Sequence, residues 1–156
     1  MPTLTDPIAL YTLTSLGLFS LADMRYRTAP GIAFFFWGAV SLGVFTNPLR
    51  VGVVVLVVTW AWGNWSTLWM LPLLLHPSSW TVLLVGAGYR EWLVGGADLL
   101  AFASLAALFE WYVPMLALLG VLVWRNWWGR RWRGPVPALP GMFFGMLGYC
   151  LVRGSF

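Results

Sequence analysis

Apolar residues come in long runs, and short polar breaks between the runs carry most of the charge. The first run is Pro7 to Ala22. Asp23-Met24-Arg25-Tyr26-Arg27 follows it, and Pro30-Gly31 marks the restart. A second run, Ile32 to Phe45, stops at Asn47-Pro48, a turn signal. Arg50 precedes a third run from Val51. The stretch Val51–Ala87 passes Gly63-Asn64 and His76-Pro77-Ser78-Ser79 before a short apolar piece, Trp80 to Ala87. It reads either as one long broken span with an interfacial piece or as several short helices. After Tyr89-Arg90-Glu91-Trp92, a run from Leu93 to Phe109-Glu110 holds Gly95-Gly96-Ala97-Asp98 near its start. Trp111 to Trp124 leads into the only basic cluster, Arg125 to Arg133, and the last run is Met142 to Val152. A membrane span takes about 20 residues, so a chain of this pattern holds about six. The pattern predicts an all-α fold, a polytopic transmembrane bundle of about six helices, in a single domain over residues 1–156 with no separate soluble domain.

Composition narrows the class. Sixty per cent of the 156 residues are hydrophobic and 9% are charged, with a mean hydropathy of +0.80. A soluble domain carries about 25% charged residues and cannot hide so much apolar surface in so small a volume. The net charge of +4 comes from nine arginines, no lysine and five acids. Basic residues gather in cytoplasmic loops, which puts Arg25, Arg27 and the Arg125–Arg133 cluster in the cytoplasm and the N-terminus outside. An odd number of crossings between Phe45 and Leu93 brings Asp98 to the same face. The opening residues, Met1 to Asp6, lack the basic stretch of a cleavable signal peptide, so the first run is read as a retained span. Arg25, Arg27, Arg130, Arg131 and Arg133, interleaved with tryptophan, read as a membrane-surface anchor on lipid headgroups rather than a single-strand nucleic-acid site. No nucleic-acid partner is expected. The lone Cys150 permits no internal disulfide and no cysteine-cluster zinc site.

The five acids can be weighed singly. Asp6 reads as a solvated residue near the outer end of the first span, and Glu110 as a solvated span end. Glu91 reads as an interfacial partner of Arg90. Asp23 and Asp98 each sit where an apolar run meets the inferred cytoplasmic face. Charge near the bilayer interior is costly, and acids there face protein or water. Asp23 reads as a candidate base or as a loop-edge charge paired with Arg25 or Arg27. Asp98 follows Gly95, Gly96 and Ala97, small residues that let another backbone approach closely, either a peptide or a neighbouring helix. Two carboxylates within hydrogen-bond reach share a proton. One then activates water while the other, protonated, polarises a carbonyl. That chemistry needs no metal and no cofactor, and none is expected. His76 is the only histidine, and no nucleophile-elbow or phosphate-loop motif is present.

These two acidic segments resemble motifs of the type IV prepilin peptidase family, including the archaeal preflagellin peptidases. The family's first motif is an Asp at the cytoplasmic end of a span, a short basic stretch, and a Pro seven residues on. Here it reads Asp23-Met24-Arg25-Tyr26-Arg27-Thr28-Ala29-Pro30. The second is Gly-x-Gly-Asp, often Gly-Gly-Ala-Asp in archaeal-type members, and here Gly95-Gly96-Ala97-Asp98. A Pro-rich entry to the last span, Pro135 to Gly141, is a third similarity. The resemblance covers most of the chain. It implies a membrane-embedded aspartic endopeptidase of the cytoplasmic membrane, with its site facing the cytoplasm. It would remove the short basic leader of prepilin-like substrates (type IV pilins, archaellins or pseudopilins). Asp23 and Asp98 fall at the family's two catalytic positions. Many bacterial members carry Gly before the second Asp and Lys two residues after it, where this chain has Ala97 and Leu100. The cysteine-rich cytoplasmic segment of large bacterial members is missing, so the resemblance implies a peptidase without methyltransferase activity. Arginines repel a basic leader, so Asp23, Asp98 and Glu91 are the expected leader contacts. The rival reading is a non-enzymatic membrane protein, a small transporter or assembly subunit.

Overall fold

The computed structural model describes residues 6–63, 78–91, 93–131 and 136–154. Among them the ordered elements are helices, with no strand: α1 (Pro7–Tyr26), α2 (Ile32–Thr46), α3 (Pro48–Ala61), α4 (Ser78–Arg90), α5 (Gly96–Leu108), α6 (Tyr112–Arg131) and α7 (Leu139–Gly154). The fold is all-α. One described helix, α1 with 20 residues, is long and apolar enough to cross a membrane unaided. The helices α2, α3, α5 and α7 are apolar but shorter. The ambiguous stretch after Val51 contains two separate helices, α3 and α4. Residues 64–77, with His76, lie outside the described residues.

The helix ends follow local chemistry. Asp6 accepts the amide of Ile8 at 2.9 Å and caps α1, with Pro7 in the first turn. Asn47 accepts the amide of Arg50 at 3.0 Å and caps α3, again ahead of a proline. At the other end, α1 runs a turn beyond its apolar run. It closes at Arg27, whose left-handed backbone (φ 57°) sends its amide to the Asp23 carbonyl at 3.0 Å. Asp23 therefore lies within the last turn of a helix, not in a loop beyond it.

Two compact units emerge, and each is described by itself. Residues 31–114 form one, with α5 at its centre. Residues 101–107 of α5 are all buried: four alanines with Phe102, Ser104 and Leu105. A helix apolar on every side belongs in a protein interior, and α2, α3 and α4 pack around it. Small residues set the closeness of the α2–α5 contact. A methyl group added at Gly43 would lie 2.7 Å from the Ala107 carbonyl oxygen. Gly43 and Ala107 both lie near the C-terminal ends of their helices, so α2 and α5 run parallel. Gly31 and Asp98 consequently share one end of this unit. The opposite end is pinned by Arg50, which donates to the Phe109 carbonyl at 2.9 Å and pairs with Glu110 at 3.5 Å.

The other unit joins residues 1–30 to 115–156. It contains α1, α7 and all of α6 after Pro114. The helices α1 and α7 are antiparallel, because Asp23 faces the start of α7 while Asp6 lies within electrostatic reach of Cys150 near its end. The helices α6 and α7 meet through glycine. A methyl group at Gly141 would lie 2.5 Å from Val121 Cα, and one at Gly145 would lie 2.6 Å from the Leu116 carbonyl oxygen. Gly120 faces the Gly141 carbonyl from the other side. Gly141 and Gly145 are four residues apart, the spacing that lets two helix backbones touch.

Candidate active site

Asp98 is the third residue of α5. Its Oδ2 accepts the backbone amide of Gly95 at 3.2 Å, so the carboxylate folds back over the start of its own helix. This satisfies one of the amides that a helix N-terminus leaves free and places negative charge at the positive end of the helix dipole. The glycines before it are constrained by the space around them. A methyl group at Gly95 would come within 3.3 Å of Asp98 Oδ2, and one at Gly96 within 3.4 Å of the Tyr89 ring.

The same glycines line a cleft of about 550 Å³. Its walls include Trp62 and Tyr89, whose rings stack at 5.1 Å, with Arg90, Leu93 and Val94. The Arg90 guanidinium lies 5.0 Å from the centre of the Trp60 ring. Glu91, the next residue, is exposed. Ala97 is half-buried behind the glycines. The Trp62 and Tyr89 rings pack directly on Gly96, and the Asp98 carboxylate lies against Gly95, next to the cleft rather than in its lining.

Asp23 is half-buried in the other unit. Its carboxylate faces the backbone amides of Leu139 and Ala138 at the start of α7, and the Arg27 guanidinium. Leu139, Pro140 and Pro137 are buried beside it. The Pro-rich entry to the last helix therefore holds the amides that receive Asp23. Of the two readings for Asp23, a loop-edge charge paired with arginine describes only part of its surroundings. Arg27 also lies 5.6 Å from the Trp128 ring centre, and Arg131 lies 4.8 Å from that of Trp127. Arg25 stacks on its neighbour Tyr26 at 5.2 Å. Arg25, Arg125, Arg130 and Arg131 are exposed, and Arg133 lies outside the described residues. Pro30 is exposed and ends this unit's first segment.

The structure thus groups Gly95, Gly96, Ala97 and Asp98 with the cleft in one unit, and Asp23 with Arg27 in the other. No three His, Cys, Asp or Glu side chains gather in a metal-binding cluster among the described residues. Two features went unread in the sequence. Trp62 and Tyr89, 27 positions apart in the chain, form the aromatic wall, and no local pattern pairs them. The Arg50–Glu110 contact had a faint signal, since these are the only charges at their respective run ends. Comparison with protein-family models, with curated proteins and with solved structures finds no match for this chain.

Proposed function

We propose that this protein is a polytopic membrane aspartic endopeptidase of the prepilin-peptidase type, acting at the cytoplasmic face on a substrate whose short basic leader precedes an apolar helix. The observation that carries the reading is Asp98: a carboxylate oriented by the Gly95 amide, beside a cleft of about 550 Å³ that Gly95 and Gly96 help to line. Asp23 supplies the second carboxylate.

In this mechanism the two carboxylates hold one proton between them. The ionised one removes a proton from water, and the water oxygen attacks the scissile carbonyl carbon. The protonated one donates to the carbonyl oxygen as it becomes an oxyanion. When the tetrahedral intermediate collapses, the C–N bond breaks and the proton taken from water passes to the leaving amine. Asp98, already oriented by a backbone amide, suits the base, and Asp23 the donor. The apolar α1, α2, α3, α5 and α7 support the membrane setting, the shorter ones spanning as parts of a bundle. The exposed arginines at the end of α6 support the cytoplasmic orientation.

The test is cleavage in membranes. A tagged prepilin-like substrate is co-expressed with the wild type, Asp23→Asn or Asp98→Asn. Asn keeps the size of the side chain but neither accepts the water proton nor shares one. Loss of cleavage in both variants at normal protein levels supports the dyad. Cleavage surviving in one variant removes that residue from the chemistry, and a wild type inactive on a panel of such substrates moves the transporter or assembly reading ahead.

A further inference from the structure

Charge is divided unevenly along the chain. Residues 1–30 with 115–156 carry seven of the nine arginines and two acids, whereas residues 31–114 carry two arginines and three acids. After Glu110 the chain has no acid at all. Within the first of these units the basic residues concentrate at one end. Arg27 at the end of α1 rests on Trp128 near the end of α6, and Arg25, Arg125, Arg130 and Arg131 are exposed. Stacking on an indole restricts a guanidinium while leaving its N–H edges free for an anion.

A groove of about 550 Å³ runs along α1 and α7 in the same unit. Leu13, Gly17, Leu18, Leu21, Phe143 and Phe144 line it, and its end lies at Met24 and Pro140. Its walls are exposed: Leu18 is 63% accessible, Leu21 65% and Phe144 52%. Gly17 keeps the groove open, since a methyl group there would already touch the Phe143 ring at 3.4 Å. Arg27 stands one helical turn beyond Met24. Arg27 lies beyond the lining, against Trp128 and beside Asp23, and with Arg25 it outweighs that single acid, so the apolar groove and the cations past its end are complementary to an amphiphile with an anionic head.

We propose that this unit holds an anionic phospholipid, its phosphate on the Arg27 end and an acyl chain in the α1–α7 groove. The other exposed arginines raise the local positive potential and draw the headgroup in. Arg27 also faces Asp23 of the proposed dyad, but the readout below is lipid binding and does not depend on cleavage.

The test uses the full chain purified in a neutral detergent, titrated with phosphatidylglycerol or phosphatidylcholine bearing the same brominated acyl chains, with tryptophan quenching as the readout. Phosphatidylglycerol is expected to bind the wild type at least about fivefold more tightly, the contribution of one well-placed arginine near an anionic lipid. Arg27→Gln is expected to remove that preference and leave phosphatidylcholine binding unchanged. Gly17→Leu is expected to weaken quenching by both lipids. Phe144→Trp, an exposed position that tolerates the larger ring, is expected to add a quenchable indole in the groove wall. Equal binding of the two lipids, an unaltered preference in Arg27→Gln, or no added quenching by bromine in Phe144→Trp would each overturn the proposal. So would displacement of the lipid by a single-stranded oligonucleotide or an apolar helical peptide at lower concentration than by unlabelled phosphatidylglycerol.

Discussion

Arg50 Nη1 donates to the carbonyl of Phe109 at 2.9 Å, tying the first turn of α3 to the residue that ends α5. The last carbonyls of a helix have no partner within it, so Arg50 replaces what the next helical turn would have supplied. Arg50 is 8% exposed, whereas Glu110, its ionic partner, has a side chain 57% exposed. The hydrogen bond is therefore the stronger of the two links. Arg50→Met, which keeps the stem but not the donor, is expected to cost about 1–3 kcal/mol of stability, the penalty of an orphaned buried acceptor. Glu110→Gln is expected to cost less than about 1 kcal/mol, as for exposed pairs. Denaturant or thermal unfolding in detergent ranks the two, and an equal or reversed order contradicts this account.

The glycine contact between α6 and α7 admits no added carbon. Gly145→Ala places a methyl group against the Leu116 carbonyl at 2.6 Å and forces the helices apart. A loss of about 1–3 kcal/mol is expected in an unfolding titration, the usual cost of overpacking. Gly148→Ala, where nothing lies within 4 Å, is the control and is expected to be neutral or slightly stabilising, since alanine favours a helix over glycine.

Gly95 controls the aim of the Asp98 carboxylate. Gly95→Ala brings a methyl group within 3.3 Å of Oδ2, tighter than ordinary contact, so the carboxylate must turn. If Asp98 is a base, cleavage is expected to fall by up to about tenfold with protein levels unchanged, since a shift of a few tenths of an ångström is less than the ångström that costs an aligned group about a hundredfold. Gly52→Ala, with open space around it, is expected to leave cleavage intact. A rate assay on both variants in membranes decides between a positioning glycine and a merely small one.

Arg27 has the left-handed backbone that favours glycine, with φ at 57°. Arg27→Ala removes the contact with Trp128 and keeps the backbone strain. Arg27→Gly removes the same contact and relieves the strain, by about 1 kcal/mol. The glycine variant is therefore expected to unfold at the higher temperature of the two. The opposite ranking contradicts the account in which the left-handed backbone at Arg27 is strained.

The apolar runs located the helices, because burial and helix formation are written in the same residues. Asn47-Pro48 marks the α2–α3 junction, and the Pro135–Gly141 segment the entry to α7. The runs misplaced the helix ends. The helix α1 continues through Asp23 because the αL backbone at Arg27 ends it, and α6 continues through its arginines, which favour a helix C-terminus. The glycine spacing at Gly141 and Gly145 was visible in the sequence but unassigned, since close approach depends on a partner helix. Gly95–Asp98 was legible because its contact is local, within four residues. The Trp62–Tyr89 wall and the Arg50–Phe109 bond were not, because each joins residues far apart in the chain.

One unit is built from an unbroken stretch of chain, residues 31–114, while the other needs both a segment before it and a segment after it. During synthesis α1 is made before α6 and α7, and the whole intervening unit is made between them. Loop closure over so long an interval is slow, so α1 spends that time without its native neighbours. Leu13, which shares a groove with Phe143 and Phe144 of α7 in the finished protein, is among the apolar residues left uncovered for that period.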